Sequence, residues 1–169
     1  DVYKRQDRSR VTLKWPNDVL VDLDTDQGGK VCGILSERVD GPAGPHAVIG
    51  IGINVSMGRD ELPLPTATSL ALCGLNHDKN ELLASLLIHL DELLTVWFET
   101  GTVRDQYVAR CDTIGTPVRL TFDPEIVGGG EGVIEGIGVD VDVDGAIVVE
   151  TSDGRCSFNA ADVHHLRTR

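Results

Sequence analysis

The sequence is poor in aromatic residues and in positive charge. Aromatic side chains make up 4% of the 169 residues, and 15 Lys and Arg stand against 27 Asp and Glu, for a net charge of -12. Such a chain repels a phosphate backbone, because it has few cations with which to displace the counterions of a nucleic acid. The scarcity of aromatics also argues against a surface that stacks on bases. Nucleic acid is therefore not an expected partner of this segment.

Long apolar runs and closely spaced cysteines are missing as well. No run reaches the roughly 18 apolar residues of a membrane span, and the first residues lack the order of a signal peptide. The four cysteines, Cys32, Cys73, Cys111 and Cys156, form no CxxC pair, which argues against a zinc site or a disulfide framework. We therefore expect a cytoplasmic protein with no membrane partner, whose cysteines are reduced and mostly buried.

The first part of the chain is predicted to form a sheet. Short β-branched runs alternate with Pro, Gly and Asp clusters, a pattern typical of strands. The runs cover residues 11–14, 19–21, 31–35 and 47–55. They predict a mixed or antiparallel sheet. The polar opening at residues 1–10 has no periodicity, and we expect it to be unstructured or foreign to the protein.

A long helix is predicted after the sheet, where apolar residues recur at three- and four-residue steps. Asp78 and Glu81 are spaced as a capping box, and Gly101 follows the last apolar position. We expect the apolar stripe to pack on one face of the sheet, with Trp97 and Phe98 in the core. A shorter helix is predicted over residues 103–111.

The last third of the chain has the pattern of a small all-β domain. Strands are predicted at residues 117–122, 132–139, 147–150 and 156–159, with a glycine-rich loop at 123–131. Asp144-Gly145 and Asp153-Gly154 supply hairpin turns. The predicted fold class is α+β, a mixed sheet with packed helices over residues 11–113, followed by a small β-barrel over residues 114–169.

A dense polar cluster lies at the end of the first predicted strand. Here Lys14, Asn17 and Asp18 surround Trp15 and Pro16, so that an ammonium, a carboxamide and a carboxylate project from one stiff turn. A turn in which Asn17 and Asp18 merely bind their own backbone would show the same residues. The cluster is a candidate site with that simpler interpretation left open.

Two further candidates lie on the following strands. Lys30 precedes an apolar run in which Gly33 leaves room for close approach of a ligand. Gly50 and Gly52 place two glycines on one side of a strand that ends in Asn54. A solvated charge at a strand end and a β-bulge would explain these residues without a ligand.

Together these segments resemble the biotin-protein ligase family. The stretches that carry the resemblance are KWPNDVLV, GGKVCGILSE and AVIGIGINVS, which look like successive core strands, followed by PTATSLAL and the ending DVHHLRTR. The resemblance implies the C-terminal half of the catalytic domain, with the class II synthetase-like fold of biotin and lipoate ligases, truncated here, and an SH3-like barrel. Lipoate ligases share weaker versions of the same positions.

The resemblance also implies a reaction. Biotin and ATP with Mg2+ would form biotinyl-5'-AMP, and a lysine of the biotin carboxyl carrier domain of a carboxylase would then take the biotin. The catalytic residues implied are Lys30 and Lys14. The biotin-binding residues implied are Lys30, Gly33 and Gly52, and the ATP-binding residues implied are Lys14, Asn17, Asp18, Asn54 and Arg167. No protein ligand to the metal is implied, because phosphate oxygens would supply most of the ligands of Mg2+.

One departure from the family limits what the chain could do. The glycine- and arginine-rich biotin loop precedes KWPND in the family and is not found here. We therefore expect this chain to be inactive or weak alone, and its full-length parent to be a ligase. Two alternatives stay open, namely a lipoate-type ligase and a non-catalytic binding module that forms a homodimer through its sheet.

Overall fold

A computed structural model of the chain describes residues 10–42, 44–122, 132–159 and 161–166. The predicted α+β class is confirmed. The strands are β1 (Val11–Lys14), β2 (Asp18–Val21), β3 (Gly29–Gly41), β4 (Gly44–Ile53), β5 (Pro117–Phe122), β6 (Gly132–Val141), β7 (Ile147–Thr151), β8 (Gly154–Phe158) and β9 (Asp162–His165). The helices are α1 (Lys79–Thr100) and α2 (Arg104–Val108), with a short 3-10 turn at Arg59–Glu61.

The described residues divide into two compact units. The first unit takes in residues 10–12 and 17–87, and the second takes in residues 13–16 and 88–166. The division passes through the KWPND motif, which places Lys14 in the second unit and Asp18 in the first. The predicted domain boundary between residues 113 and 114 stays a prediction.

The first sheet has the strand order β1-β2-β3-β4. The β2–β3 and β3–β4 ladders are antiparallel, so the mixed sheet that was one of the two expectations is wrong for these pairs. Strand β3 continues to Gly41, well past the predicted end at residue 35, because its polar second half still pairs along the backbone with β4. Hydrophobic alternation marks only the half-buried part of such a strand.

One face of this sheet forms the small core of the first unit. The buried residues are Val21, Val31, Cys32 and Cys73, with Ile34 and Ile53 packed against them. Cys32 lies directly across from Ile53 in the β3–β4 register. Because side chains alternate between the faces of a strand, the neighbouring Gly33 lies on the opposite face.

Helix α1 begins and ends where the sequence predicts. The Asp78 carboxylate accepts hydrogen bonds from the backbone N–H groups of Asn80 and Glu81, at 2.8 and 3.2 Å. Gly101 adopts a φ of 77° just after the last turn, a conformation that favours glycine. Among the described helices, none is long and apolar enough to cross a membrane.

The predicted packing of α1 is wrong. Leu83 and Leu87, on the expected buried stripe, are 55% and 54% exposed, and Trp97 and Phe98 are 49% and 79% exposed. The two rings contact each other, with centroids 5.5 Å apart, and do not lie in a core. A period of three to four residues shows which side chains share a face of a helix. It does not show that another element covers that face.

The second unit contains an antiparallel sheet with the order β8-β7-β6-β5-β9. Its core is built by alternation, since Val118, Leu120, Ile147 and Val149 are fully buried. The predicted small β-barrel is not closed, because no ladder joins the edge strands β8 and β9 within the part of the chain that the structure describes. Closure depends on strand tilt and stagger, which a count of strands does not reveal. The predicted loop at 123–131 lies outside the described residues.

The turns of the second unit follow the predicted chemistry. Gly145 and Gly154 have φ angles of 87° and 113°, and the Asp142 carboxylate accepts the N–H groups of Asp144 and Ala146. Helix α2 stops at Val108 and does not reach Cys111. The reason is that the Cys111 region pairs with β1 through the Leu13 backbone.

Candidate functional site

Lys30 and Asp18 meet in the first unit. Asp18 begins β2 and Lys30 is the second residue of β3, and the Lys30 Nζ lies 2.5 Å from the Asp18 Oδ1. The Lys30 side chain is 38% exposed and the Asp18 side chain 14% exposed. A largely buried carboxylate therefore holds an ammonium group that still reaches solvent.

Gly33 supplies the space for that ammonium. A Cβ added at Gly33 would lie 3.3 Å from both the Cε and the Nζ of Lys30. Gly33 pairs with Asp18 on one side and with Gly52 on the other, so the three residues form a row across the strands. The row is a carboxylate followed by two bare stretches of backbone, with the lysine head beside it.

The backbone of Lys30 is fixed by the segment at residues 66–68. The Lys30 N–H donates to the Thr66 carbonyl at 2.9 Å, and the Lys30 carbonyl accepts the Thr68 N–H at 2.8 Å. Gly29 permits this close approach, because a Cβ there would lie 2.4 Å from the Thr66 oxygen. Lys30 is thus held through its backbone on one side and through Asp18 at its charged end.

Asn54 lies next to the same segment. Its side-chain amide donates to the Thr68 carbonyl at 3.0 Å, and its backbone N–H donates to the Val31 carbonyl at 2.9 Å. Thr68 is fully buried, and its hydroxyl donates to the Gln27 carbonyl at 2.6 Å. In this structure Asn54 therefore helps to hold the segment that holds Lys30.

Sequence reasoning did not single out Thr68 as part of the site. The only signal was its place in PTATSLAL, where a polar stretch without periodicity precedes the helix. Asn17, which was singled out, has an exposed side chain and contributes through its carbonyl, which accepts the Ile34 N–H at 2.9 Å. The first unit thus brings Asp18, Lys30, Gly33 and Gly52 together directly.

Lys14 belongs to the second unit, where its two neighbours anchor it. The Leu13 N–H donates to the Arg110 carbonyl at 2.9 Å, and the Leu13 carbonyl accepts the Asp112 N–H at 2.7 Å. Trp15 is 3% exposed, and its indole N–H donates to the Gly145 carbonyl at 2.8 Å. Arg167 lies outside the described residues.

The charges of the site influence a buried thiol beside it. Burial raises the pKa of the Cys32 thiol, the nearby Lys30 ammonium opposes that shift, and the Asp18 carboxylate adds to it. Cys32 therefore stays protonated near neutral pH and behaves as a small core residue. The charged groups beside this thiol are the Lys30 ammonium and the Asp18 carboxylate.

Two family models match the chain on either side of α1. The Biotin/lipoate A/B protein ligase family matches residues 2–54, which contain Asp18, Lys30, Gly33, Gly52 and Asn54. The model of the Biotin protein ligase C terminal domain matches residues 113–166. Both segments of the chain are therefore similar to biotin protein ligases.

Relatives of this family align with almost the whole chain. The biotin--[acetyl-CoA-carboxylase] ligase of Mycobacterium tuberculosis is 36% identical over 157 residues, which are 92% of this chain and 53% of that protein. The bifunctional ligase/repressor BirA of Escherichia coli is 33% identical, over 89% of this chain and 44% of that protein. The chain thus spans about half the length of these curated relatives.

Solved structures of biotin protein ligases have the same fold. The enzyme from Aquifex aeolicus in complex with biotin and ATP superimposes with a TM-score of 0.68 at 26% identity, over 92% of this chain and 62% of that one. Another structure of the Aquifex aeolicus enzyme has a TM-score of 0.69 at 24% identity, which shows the fold alone.

Proposed function

We propose that the protein to which this chain belongs is an ATP-dependent biotin-protein ligase. The observation that carries the proposal is the Lys30 ammonium, which Asp18 holds at 2.5 Å beside the bare backbone of Gly33. A cation fixed at the edge of an open glycine surface is suited to bind a carboxylate or a phosphate that lies flat on the strands.

The chemistry requires charge stabilisation more than proton transfer. A biotin carboxylate oxygen would attack the α-phosphorus of ATP, forming the mixed anhydride biotinyl-5'-AMP as pyrophosphate leaves. An amine of the acceptor lysine would then attack the acyl carbon, AMP would leave, and the amine would lose a proton. Negative charge is concentrated on the phosphate and carboxylate oxygens in the first step, and a cation already in position lowers its barrier.

We assign the remaining residues by the same reasoning. Gly33 and Gly52 would lie under biotin, since neither has a side chain to fill that surface. The nucleotide would contact Lys14, Asn17, Asp18, Asn54 and Arg167. Asp18 is engaged by Lys30, so we expect Mg2+ to enter with ATP and to take most of its ligands from phosphate and water.

The expected protein substrate is the biotin carboxyl carrier domain of a carboxylase, and the expected compartment is the cytoplasm. A lipoate-type ligase is not favoured, because residues 113–166 match the model of the Biotin protein ligase C terminal domain. The third option, a module that only forms a homodimer, would leave the Lys30 and Asp18 pair without a role.

The test is a biotin transfer assay with a matched lysine control. The segment of the Mycobacterium tuberculosis relative that precedes its counterpart of Val11 would be joined ahead of Val11, and ATP, Mg2+, biotin and a carrier domain would be supplied. We expect transfer by this chimaera and weak or no transfer by the chain alone. Lys30→Ala is expected to lower the rate of adenylate formation by roughly 100-fold or more, the usual loss when a stabilising group is removed.

Lys79→Ala provides the control, because Lys79 is an exposed lysine at the start of α1. This variant should retain the rate within about twofold, as surface changes usually do. An active chimaera that keeps its rate after Lys30→Ala would refute the role of Lys30. A chimaera with no activity on biotin but activity on lipoate would refute biotin as the substrate. Inactivity on both would favour the non-catalytic binding module.

A further inference from the structure

A buried polar cluster in the second unit is not used by the proposed chemistry. The Thr113 hydroxyl is fully buried and lies 3.1 Å from the Nε2 of His165, whose side chain is 6% exposed. The same hydroxyl accepts the backbone N–H of Trp15 at 3.0 Å. The Asp112 carboxylate lies on the other side of the ring, 3.9 Å from the Nδ1 of His165.

The cluster has a preferred direction of hydrogen bonding. A carboxylate on the Nδ1 side favours a proton on Nδ1, and the Nδ1 tautomer of the neutral ring leaves Nε2 as an acceptor. The Thr113 hydroxyl then donates to Nε2 and offers a lone pair to the Trp15 N–H. One orientation of the hydroxyl satisfies both bonds, and His165 is the residue that selects it.

The residue held by this arrangement is Lys14. The backbone before Lys14 is fixed by the two Leu13 hydrogen bonds to residues 110 and 112, and the backbone after it is fixed by the bond from Trp15 to Thr113. Residues 110–113 thus bracket the lysine on both sides. Of the three bonds, only the one to Thr113 depends on a side chain.

We propose that His165, on the last strand of the sheet, is a positioning residue that orients the Thr113 hydroxyl and so fixes the Lys14 backbone for binding ATP. The part of this inference that concerns ATP rests on the proposed function. The part that concerns the Trp15 amide stands on the hydrogen bonds alone. The two parts need separate measurements.

The first measurement is hydrogen exchange of the Trp15 amide in this chain, followed by NMR. Thr113→Val and His165→Leu are each expected to speed exchange about tenfold, the scale set by one lost hydrogen bond, and the double variant should add little. His164→Leu is the matched control, because His164 is the exposed neighbour on the same strand, and it should leave the exchange rate unchanged. Unchanged exchange in His165→Leu, with faster exchange in Thr113→Val, would overturn the role of His165.

A second pair of variants guards against loss of the fold. The amide of Gln reaches the position of Nε2 in histidine and that of Asn does not, so His165→Gln should restore slow exchange and His165→Asn should not. Protection of the Leu120 amide in the middle of β5 reports whether the sheet remains folded. Equal exchange in the Gln and Asn variants, with Leu120 still protected, would also refute the proposal.

The second measurement is steady-state kinetics of the ligase chimaera. His165→Leu is expected to raise the KM for ATP about tenfold while the KM for biotin and kcat stay within about twofold, because Lys14 is displaced and Lys30 is not. Equal changes in both KM values, or none, would refute positioning of Lys14 for the nucleotide. If the chimaera has no activity at all, the proposed function fails, and the exchange measurement still decides whether His165 holds the turn.

Discussion

The two sheets of this chain differ in how many of their side chains are buried. Strand β5 alternates between exposed and buried positions, and Val118 and Leu120 are fully buried. The β3–β4 hairpin instead leaves Leu35 61% exposed and Val48 54% exposed. The residues proposed to bind biotin lie in the sheet with the open face. A surface that must accept a ligand has to remain bare, whereas a surface that only stabilises the fold does not.

The largest expected contrast between the sheets is in stability. Leu120→Ala removes a fully buried side chain and is expected to lower the free energy of unfolding by about 2 to 5 kcal/mol. The same change at Leu35, which is 61% exposed, should cost less than about 0.5 kcal/mol. Urea unfolding followed by circular dichroism measures both. A large loss from Leu35→Ala would mean that the open face is covered in solution, for example by a second copy.

A second contrast lies within the open face, between its two central glycines. A Cβ at Gly33 would lie 3.3 Å from the Lys30 ammonium, whereas a Cβ at Gly52 would meet only the Gly33 carbonyl oxygen, at 3.8 Å. Gly33→Ala should therefore displace Lys30 and lower kcat of the ligase chimaera about tenfold, as small misplacements of reacting groups do. Gly52→Ala should leave kcat nearly unchanged and raise the KM for biotin. Equal effects on kcat would show that Gly33 has no special relation to Lys30.

The smallest expected effect is a pH dependence of stability that arises in the first unit. The Arg10 guanidinium donates to both oxygens of the Asp22 carboxylate, at 2.7 and 2.5 Å, and this lowers the pKa of Asp22. A lowered pKa in the folded state stabilises the fold above the ordinary value, near pH 4, and this stabilisation is lost as the pH falls through the lowered value. The Asp22 side chain is 10% exposed, but that of Arg10 is 57% exposed, so salt should weaken the effect further.

The substitution Asp22→Asn tests the effect of that charge without changing the backbone conformation. Asp22 has a φ of 49°, a conformation that Asn also tolerates, so the variant removes the charge without adding strain. Thermal unfolding at pH 6 should show a lower midpoint for the variant, and the two midpoints should converge under acid conditions. Asp24→Asn, at an exposed position of the same turn, is the charge-matched control. A difference between Asp22→Asn and the unaltered chain that persists at low pH would rule out the ion pair as its cause.

Local structure was largely predictable from the sequence. The strand at residues 117–122 and the helix with its cap at Asp78 and its stop at Gly101 all lie where the patterns predicted them. Each depends on residues that are neighbours along the chain, such as a capping carboxylate or a glycine with positive φ. The family motifs were visible for the same reason, since each is a short run with a fixed spacing.

Contacts between distant segments were not predictable in the same way. Asp18 reaches Lys30 because of the β2–β3 register, which shifts between Val19 and Leu20, and no local pattern marks that irregularity. Thr113 meets His165 only because β9 pairs with β5 at the edge of the second sheet. A pairing register depends on the balance of many contacts on both strands.

The sequence by itself determined the elements, the turns and the order of the motifs, because caps, turn glycines and hydrophobic periods act over a few residues. Tertiary structure alone decided that no residue of α1 is buried, that the last sheet is open, and that Asn54 binds Thr68. These outcomes depend on which surfaces meet across long stretches of chain. The same amphipathic pattern is compatible with a covered face or a bare one, and only the assembled fold distinguishes them.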